Sequence, residues 1–266
     1  MQIEKIYNNF NPFRNMAFNI PKQAHRVYKN SFLQNTQLVA RFNELATCSE
    51  VFADNVKLYY NRFFGLEKSK DDLLSPNGIF LQNEEDDASF LFTRSSVSFE
   101  RSRKTYRSFV DSVLPLFAHI KIYIYHLMDQ DKVDKLSIRK VNLFPIQIDD
   151  DKIAKKAKDI IYKNVFGSDF LKHESHINQS LPNFILDLNS FEMTDENYQV
   201  NVKYGLSKSQ TEGVYNIVLD MLLSKNSSTE EGVFDAECLR MNDVAFDLLH
   251  WAVADQVIEI MKGSTK

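Results

Sequence analysis

The sequence predicts an α+β fold, in which one or more antiparallel sheets of hairpins carry helices on their apolar face. From residue 78 onward the pattern of apolar residues reads strand–strand–helix twice, then a lone strand, then strand–strand–helix again. Short polar segments such as "NEEDD", "MDQDK" and "SKSQTEG" join the paired strands, which is typical of hairpins. The seven glycines are scattered, so the Gly-rich turns of parallel nucleotide-binding folds are absent.

The individual elements follow from the period of that pattern. Alternation of apolar and polar residues predicts strands at roughly 33–43, 78–83, 89–99, 119–127, 134–144, 183–191, 198–207 and 213–224. Helical spacing predicts helices near 44–63, 103–114, 150–165 and 241–262. No linker rich in Pro, Gly or Ser divides the chain. We therefore predict one α+β domain over residues 1–266, with a possible soft division near 145–180.

Composition limits the class of protein. The chain has 266 residues, of which 44% are hydrophobic and 26% charged, as is ordinary for a globular protein. The net charge of −4 does not attract nucleic acid globally, so a basic patch would have to be local. The N-terminus lacks the apolar core of a signal peptide, and no run approaches the ~18 apolar residues of a membrane span. With only Cys48 and Cys238 available for disulfides, we expect a cytoplasmic protein without membrane association.

Several kinds of catalytic chemistry lack their motifs. The two nearest glycines, Gly205 and Gly213, are too far apart for a P-loop, a dinucleotide fingerprint or a kinase-type loop. A serine-hydrolase elbow and a zinc-protease helix are also absent. His173 and His176 have a spacing that could begin a zinc site, but such a site needs about four ligands. We predict no cofactor, no metal and no catalytic residue.

One predicted strand, "LSIRKVNLFPI" at 136–146, carries an arginine and an asparagine among aliphatic residues. Alternation places Arg139 on one face and Asn142 on the other, where we expect Asn142 to bond a neighbouring backbone group. A buried guanidinium needs a carboxylate, because an unpaired buried charge is strongly destabilising. Asp187 in "FILDLNSF" is the first choice and Asp220 in "IVLDMLL" the second. The prediction is a partly buried ion pair of Arg139 with Asp187; the alternative is an anion site for phosphate or carboxylate.

A basic cluster with interleaved aromatic residues lies in "RSSVSFERSRKTYRSF". Such a composition is typical of sites for single-stranded nucleic acid or a phosphorylated ligand. Because the whole chain is acidic, we favour a solvated face paired with the turn "NEEDD", and keep anion contact as the alternative. In both cases the cluster is expected to be exposed and strongly positive. The 94–107 cluster consists of Arg94, Arg101, Arg103, Lys104 and Arg107.

The last predicted helix, 241–262, is apolar nearly all round. Such a helix is covered by the core on one side and by something else on the other. Trp251 and Ile258 lie broadly opposite the main apolar stripe, so we predict that they meet a protein partner or a second copy of the chain. His250 borders that stripe and is interpreted as a core histidine with a satisfied hydrogen bond rather than as a catalyst.

Four segments resemble an uncharacterised, sporadically distributed bacterial protein family, in the order "SVSFER…Y", "LSIRKVNLFPI", "FILDLNSF" and "LLHWAVADQVIEIM". The resemblance covers roughly residues 90–262. Arg139 and Asn142 match the R-x-x-N positions of the family's R-Y-I-N strand. Asp187 matches the first Asp of its L-D-I-D strand, and His250 matches the Leu-His opening of its C-terminal helix.

The sequence departs from that pattern at two positions: Lys140 stands where Tyr is usual, and Asn189 replaces the second Asp. The resemblance implies no catalytic assignment. A patchy distribution of this kind is common among accessory genes, including phage-defence loci, and that is the setting which the resemblance implies.

Three classes of function follow. The favoured one is a non-enzymatic interaction protein that acts through a protein partner, as an accessory or phage-defence component. The first alternative is a nucleic-acid or nucleotide-phosphate binding protein that uses the 94–107 cluster. The second is an enzyme whose residues converge only in the fold. An open pocket that brings Arg139, Asp187 and His250 together would favour the enzyme, and a closed, dry environment would oppose it.

Overall fold

The structure is a computed structural model, and it describes most of the chain from residue 20 to residue 263. The described residues are 20–23, 28–43, 74–75, 78–83, 88–93, 95–102, 109–114, 117–127, 130–173, 176–177, 182, 184–194 and 197–263. The predicted helix at 44–63 and the first part of the one at 103–114 lie outside them.

Twelve strands are formed by the described residues. They are β1 (Leu33–Arg41), β2 (Leu74–Ser75), β3 (Gly78–Asn83), β4 (Ala88–Thr93), β5 (Ser96–Ser102), β6 (Lys132–Val133), β7 (Lys135–Gln147), β8 (His176–Ile177), β9 (Ile185–Thr194), β10 (Tyr198–Lys208), β11 (Val214–Lys225) and β12 (Thr229–Glu230). Six α-helices accompany them. They are α1 (Phe109–Ser112), α2 (Phe117–Lys121), α3 (Asp151–Val165), α4 (Ser168–Leu171), α5 (Glu231–Ala252) and α6 (Asp255–Lys262).

Ten of these strands form one sheet in the order β2-β3-β4-β5-β1-β7-β11-β10-β9-β8, while β6 and β12 pair separately. Every described pairing is antiparallel. Strands β2 to β5 are successive neighbours at one end and β8 to β11 at the other, and β1 and β7 join the two groups at the centre. The predicted α+β fold with an antiparallel sheet is confirmed.

The sheet has two unlike faces. Alternate residues such as Ile138 on β7 and Leu219 on β11 are buried in the hydrophobic core. The helices contact the sheet from this side: Lys140 Nζ donates to Asn242 of α5, and the Tyr162 hydroxyl of α3 donates to Asp187. We call this side the helix face. The intervening residues, which no described helix covers, form what we call the polar face.

Helix α3 confirms the helix predicted at 150–165. Asp150 is its N-cap and accepts a hydrogen bond from the Ile153 N–H at 2.8 Å, which satisfies one of the free donors of the first turn. Ala154, Tyr162 and Val165 form its buried side, as a helical period requires.

The strand predicted at 119–127 is wrong. Residues in this stretch belong to α2 and to the π-helical segment Ile122–Leu127 that continues it. Tyr123 and Ile124 are adjacent and both fully buried, which a helix inside the core allows and an alternating strand does not. A short apolar run can form either a buried strand or a buried helix. Here the adjacent buried residues fit the helix.

The helix predicted at 241–262 starts ten residues earlier and is divided in two. Helix α5 begins at Glu231, and the chain is extended at Val253 and Ala254 before α6. The break is held by backbone hydrogen bonds, because the Gly167 N–H donates to Ala252 O at 2.9 Å and the Ala254 N–H donates to Val165 O at 2.9 Å. Among the described helices, none combines the length and apolar character needed to cross a membrane.

Candidate functional site

The polar face is organised in rows that cross the sheet. Arg139 of β7 lies directly opposite Gln37 of β1 and Leu222 of β11, and Leu222 lies opposite Asn201 of β10. Directly opposed residues of antiparallel strands point to the same side. The arginine of the 136–146 stretch therefore lies near the middle of a row that crosses β1, β7, β11 and β10.

A groove of about 650 Å³ lies over this face. Its described lining comes from β4, β5, β1, β7, β11 and β10, which are six consecutive strands of the sheet. The volume is in the range of ligand sites in proteins. Most of the lining is polar, and it includes serine, glutamine and asparagine side chains that can donate or accept hydrogen bonds.

The charge of the groove is mostly positive. Its charged residues are Arg41, Lys135, Arg139, Lys203 and Asp220. Arg41 and Lys135 lie opposite each other near one end, Arg139 lies at the centre, and Lys203 lies two strands further on. From strand spacing and rise, the four cations span roughly 20–25 Å on a diagonal across the sheet. Such a track suits an extended anionic ligand rather than a compact one.

Arg139 and Asp220 form the ion pair at the centre of the groove. Arg139 Nε donates to Asp220 Oδ1 at 2.8 Å, and Nη2 donates to Oδ2 at 2.7 Å, so the pair is bidentate. The Arg139 side chain is 43% exposed and that of Asp220 13%. The hydrogen bond to Asp220 raises the pKa of Arg139, and burial only partly opposes it. The guanidinium stays charged.

The predicted pairing of Arg139 with Asp187 is wrong, and the second choice, Asp220, is its partner. Asp187 lies opposite Leu206 of β10, a fully buried residue, and so belongs to the helix face. Arg139 is on the polar face of the same sheet, with β11 and β10 between β7 and β9. Two side chains on opposite faces of one sheet cannot meet.

Asp187 is held by a separate network. Its carboxylate accepts hydrogen bonds from the Tyr162 hydroxyl at 2.7 Å, from Asn189 Nδ2 at 2.8 Å and from Lys158 Nζ at 3.1 Å. Burial alone would raise the pKa of Asp187, but the bonds from Tyr162, Lys158 and Asn189 together outweigh it and hold that pKa below its usual range. Asp187 therefore links α3 to β9 through Lys158 and Tyr162, and Asn189 of the same strand supplies the third hydrogen bond to the carboxylate.

Asn142 is buried on the helix face, 1% exposed. The expected hydrogen bond from its amide to a neighbouring backbone group is wrong, since no acceptor for Nδ2 lies within the described residues. Leu219 lies opposite Asn142 on β11 and is itself buried, so this part of the core offers the amide apolar surroundings.

His250 forms a hydrogen bond between its Nε2 and the Tyr28 hydroxyl and packs on Phe246, with ring centroids 4.7 Å apart. It lies on α5, on the opposite side of the sheet from Arg139. No described contact joins Arg139, Asp187 and His250, and the three do not form a site together. Within the described residues, no three His, Cys, Asp or Glu side chains are grouped to hold a metal ion.

The two predicted interface residues are covered by the chain itself. Ile258 is 7% exposed in the core, so its prediction as an interface residue is wrong. Trp251 is partly buried and packs edge-on against Phe170 of α4, with ring centroids 5.4 Å apart. The second side of the C-terminal helices is thus covered by α4 and, through Tyr28, by the segment before β1.

Most of the 94–107 cluster lies outside the described residues, namely Arg94, Arg103, Lys104 and Arg107. Arg101 is described, in β5, directly opposite Thr36. Thr36 is fully buried, so Arg101 extends from the helix face and is only partly exposed. Exposure of the cluster as a unit stays a prediction, and Arg101 is not part of the groove.

Sequence reasoning missed three of the four cations in the groove. Arg41, Lys135 and Lys203 occur at polar positions of strands that the alternation does predict. That alternation assigns each of them to a face of its own strand. It does not show which strands are neighbours, and only strand order brings the three residues to one groove.

Comparisons with known proteins add no family assignment: no protein-family model matches the chain, and none of the curated proteins matches it.

Proposed function

We propose that this chain is a non-enzymatic binding protein that holds a single nucleic-acid strand on the polar face of its sheet. One observation carries the proposal. Four of the five charged groove residues are cations, although the chain as a whole has a net charge of −4. A local positive track on an acidic protein concentrates an anionic ligand at one place and repels it elsewhere.

The diagonal arrangement of Arg41, Lys135, Arg139 and Lys203 favours a nucleic-acid strand over a compact ligand. The cations follow a diagonal of roughly 20–25 Å, and a single strand has a phosphate at every nucleotide along such a path. Gln37 and Asn201 lie on either side of Arg139 in its row, and Ser96 and Ser98 line the groove on β5, beyond Arg41. Their amide and hydroxyl groups can bond phosphate or sugar oxygens.

The groove gives little support for base recognition. Its described lining contains no aromatic side chain, and the exposed ring of Phe80, 38% exposed, lies directly opposite Leu91 at the edge of the groove. Base stacking needs such rings. We therefore propose binding through the backbone of the strand, with little dependence on base sequence.

The test is fluorescence anisotropy with labelled single-stranded DNA and RNA of about 20 nucleotides, at 50 and 200 mM salt. If three or four phosphates are neutralised, affinity should fall roughly 20- to 50-fold between the two salt concentrations. Absence of binding at micromolar protein in low salt, or binding that ignores salt, would reject the proposal.

A matched pair of variants assigns binding to the groove. Lys135→Glu with Lys203→Glu reverses two groove cations. Lys152→Glu with Lys156→Glu makes the same change of net charge at exposed positions of α3. The groove variant should lose most of the affinity and the helix variant very little. Equal losses would mean that only the net charge matters.

A second candidate is the protein-partner function, in the form of self-association. Ile153 and Ile160 of α3 are 47% and 67% exposed and lie on one side of that helix, and Ile260 of α6, a helix that contacts α3, is 45% exposed. Light scattering coupled to size exclusion tests this candidate. Ile160→Lys should convert an oligomer to a monomer, and a wild-type protein that is monomeric at high concentration would reject it.

The cytoplasmic location and the accessory or phage-defence setting belong to the same proposal. They rest on cysteine usage and on the family resemblance, respectively. Fractionation of the native host and expression during phage challenge would test them.

A further inference from the structure

The guanidinium of Arg139 uses only one of its two edges inside the chain. The Nε–H and one Nη2–H donate to Asp220. Three of the five N–H donors of an arginine then remain, two on Nη1 and one on Nη2, and one N–H from each nitrogen forms a second fork. No described residue accepts from this fork, and the side chain is 43% exposed at the groove.

Asp220 determines the orientation of that fork. Its side chain is only 13% exposed, and both of its oxygens bind Arg139. A bidentate bond to a carboxylate holds the guanidinium in the plane of the pair, so the remaining fork has a defined direction without further contacts. Lys203 lies directly opposite Asp220 on β10, on the side of that carboxylate away from β7. Glu100 of β5, which lies opposite Gln37 in the row of Arg139, is the other described acid that acts on the guanidinium.

We infer that the second fork of Arg139 binds one phosphodiester group of the strand held in the groove, with Asp220 as the positioning residue. This inference rests on the proposed function and names its central contact. A phosphate presents two oxygens at the spacing of the fork, which a lysine ammonium cannot match because it is a point charge. Arg139 is then a geometric contact, whereas Arg41, Lys135 and Lys203 act through charge.

The first arm of the test compares Arg139→Lys with Arg139→Met in the anisotropy assay. Arg139→Lys keeps the charge and removes the fork, so affinity should fall about tenfold while the salt slope is unchanged. Arg139→Met removes both, and the magnitude of the salt slope should also fall by about 0.7. An Arg139→Lys variant that binds as tightly as wild type would overturn the inference.

The second arm tests Asp220 through a double-mutant cycle. Asp220→Asn keeps the shape of the side chain and removes its charge, so a purely electrostatic groove would bind more tightly. If Asp220 positions the fork, the tenfold difference between Arg139 and Arg139→Lys should shrink to about twofold or less in the Asp220→Asn background. An unchanged tenfold difference would overturn the positioning role.

The third arm changes the ligand. A methylphosphonate linkage is neutral and has a methyl group in place of one of the two non-bridging oxygens, so it cannot fill the fork. Wild type and Arg139→Lys should therefore bind a strand of such linkages equally weakly. Inorganic polyphosphate serves as the second source of phosphate. A penalty for Arg139→Lys that appears with polyphosphate alone would overturn the assignment to a nucleic-acid strand.

The outcomes separate the inference from the function on which it rests. Wild-type protein that binds no oligonucleotide rejects the proposed function, whatever Arg139 does. Salt-dependent binding that is lost in the Lys135→Glu, Lys203→Glu variant but unaffected by Arg139→Lys keeps the function and overturns only the contact.

Discussion

Arg139 and Lys140 are neighbours in the chain and lie on opposite faces of β7. Arg139 has a carboxylate partner, Asp220, and the pKa of its guanidinium is raised. Lys140 instead donates to the neutral Asn242 Oδ1 at 2.5 Å and lies 5.6 Å from the centre of the Phe109 ring, and burial lowers its pKa to about 8. The face of the sheet, more than the position in the sequence, decides what a charged residue can do.

The largest expected difference between the faces concerns Leu222 and Leu223, adjacent residues of β11. Leu223 is 1% exposed in the core, whereas Leu222 lines the groove. Leu223→Ala should lower the free energy of unfolding by ~2–5 kcal/mol because it leaves a cavity, and Leu222→Ala by less than about 1 kcal/mol. Urea denaturation of both variants measures this. Equal losses would mean that the polar face is packed as tightly as the core.

The second prediction concerns the partner of Arg139. Arg139→Met leaves the mostly buried Asp220 without its partner and should lower the free energy of unfolding by ~1–3 kcal/mol. The loss in the double mutant Arg139→Met, Asp220→Leu should differ from the sum of the two single losses by about 1 kcal/mol. In the double mutant Arg139→Met, Asp187→Leu the two losses should add within about 0.5 kcal/mol, because Asp187 is on the other face of the sheet. Coupling of Arg139 to Asp187 instead of Asp220 would reverse the assignment of the faces.

The third prediction is a pH dependence on the helix side. Asp247 of α5 accepts a hydrogen bond from the Gln23 N–H at 2.8 Å, and burial raises its pKa to about 6, with Asp243 adding to the shift and Lys22 opposing it. A raised pKa means that the folded state favours the protonated acid. The stability that protonated Asp247 contributes is therefore fully present below about pH 4, and it is lost as the pH rises through about 6.

Asp247→Asn mimics the protonated acid at every pH. At pH 8 it should raise the free energy of unfolding by on the order of 1 kcal/mol, after allowance for solvent screening, and at pH 4 it should change little. Asp169→Asn is the matched control, because burial raises the pKa of Asp247 whereas a hydrogen bond from Lys172 lowers that of the exposed Asp169. A stabilisation that is equal at both pH values would contradict this prediction.

The smallest expected effect is the lowered pKa of a single amine, that of Lys140. The Lys140 amine should titrate near pH 8, because burial disfavours its charged form. NMR of the protein after reductive ¹³C-methylation of its lysines follows this titration, and Lys140→Arg identifies the signal by its loss. A Lys140 signal that titrates with the surface lysines, near pH 10.4, would show that water reaches the amine freely.

Much of the fold was predictable because it depends on local periodicity. The alternation in 134–144 and 213–224 predicted β7 and β11, and the acidic start of 150–165 marks the N-terminus of α3. The same reasoning failed at 119–127, where a buried helix produces an apolar run that a strand can also produce.

The candidate site was predictable only in part. The sequence indicated that Arg139 needs a carboxylate, and it offered Asp187 and Asp220 in equally apolar strands. The choice between them depends on strand order and on the face of each strand, which are tertiary properties. Lys203 shows the same limit, since its alternation with Asn201 is visible in the sequence but its proximity to Arg139 is not.

The position of β7 in the sheet has a consequence for the time course of folding. The strands β9, β10 and β11 pair with sequence neighbours, as do β3, β4 and β5, and such hairpins form in microseconds. The join between the two groups requires β7 to find β1 on one side and β11 on the other. Its central ion pair links residues 81 positions apart. Closing such long loops makes a sheet slow to complete. During synthesis Arg139 therefore lacks its carboxylate until β11 has left the ribosome. Until then one edge of β7 stays unpaired and open to wrong pairing in the nascent chain.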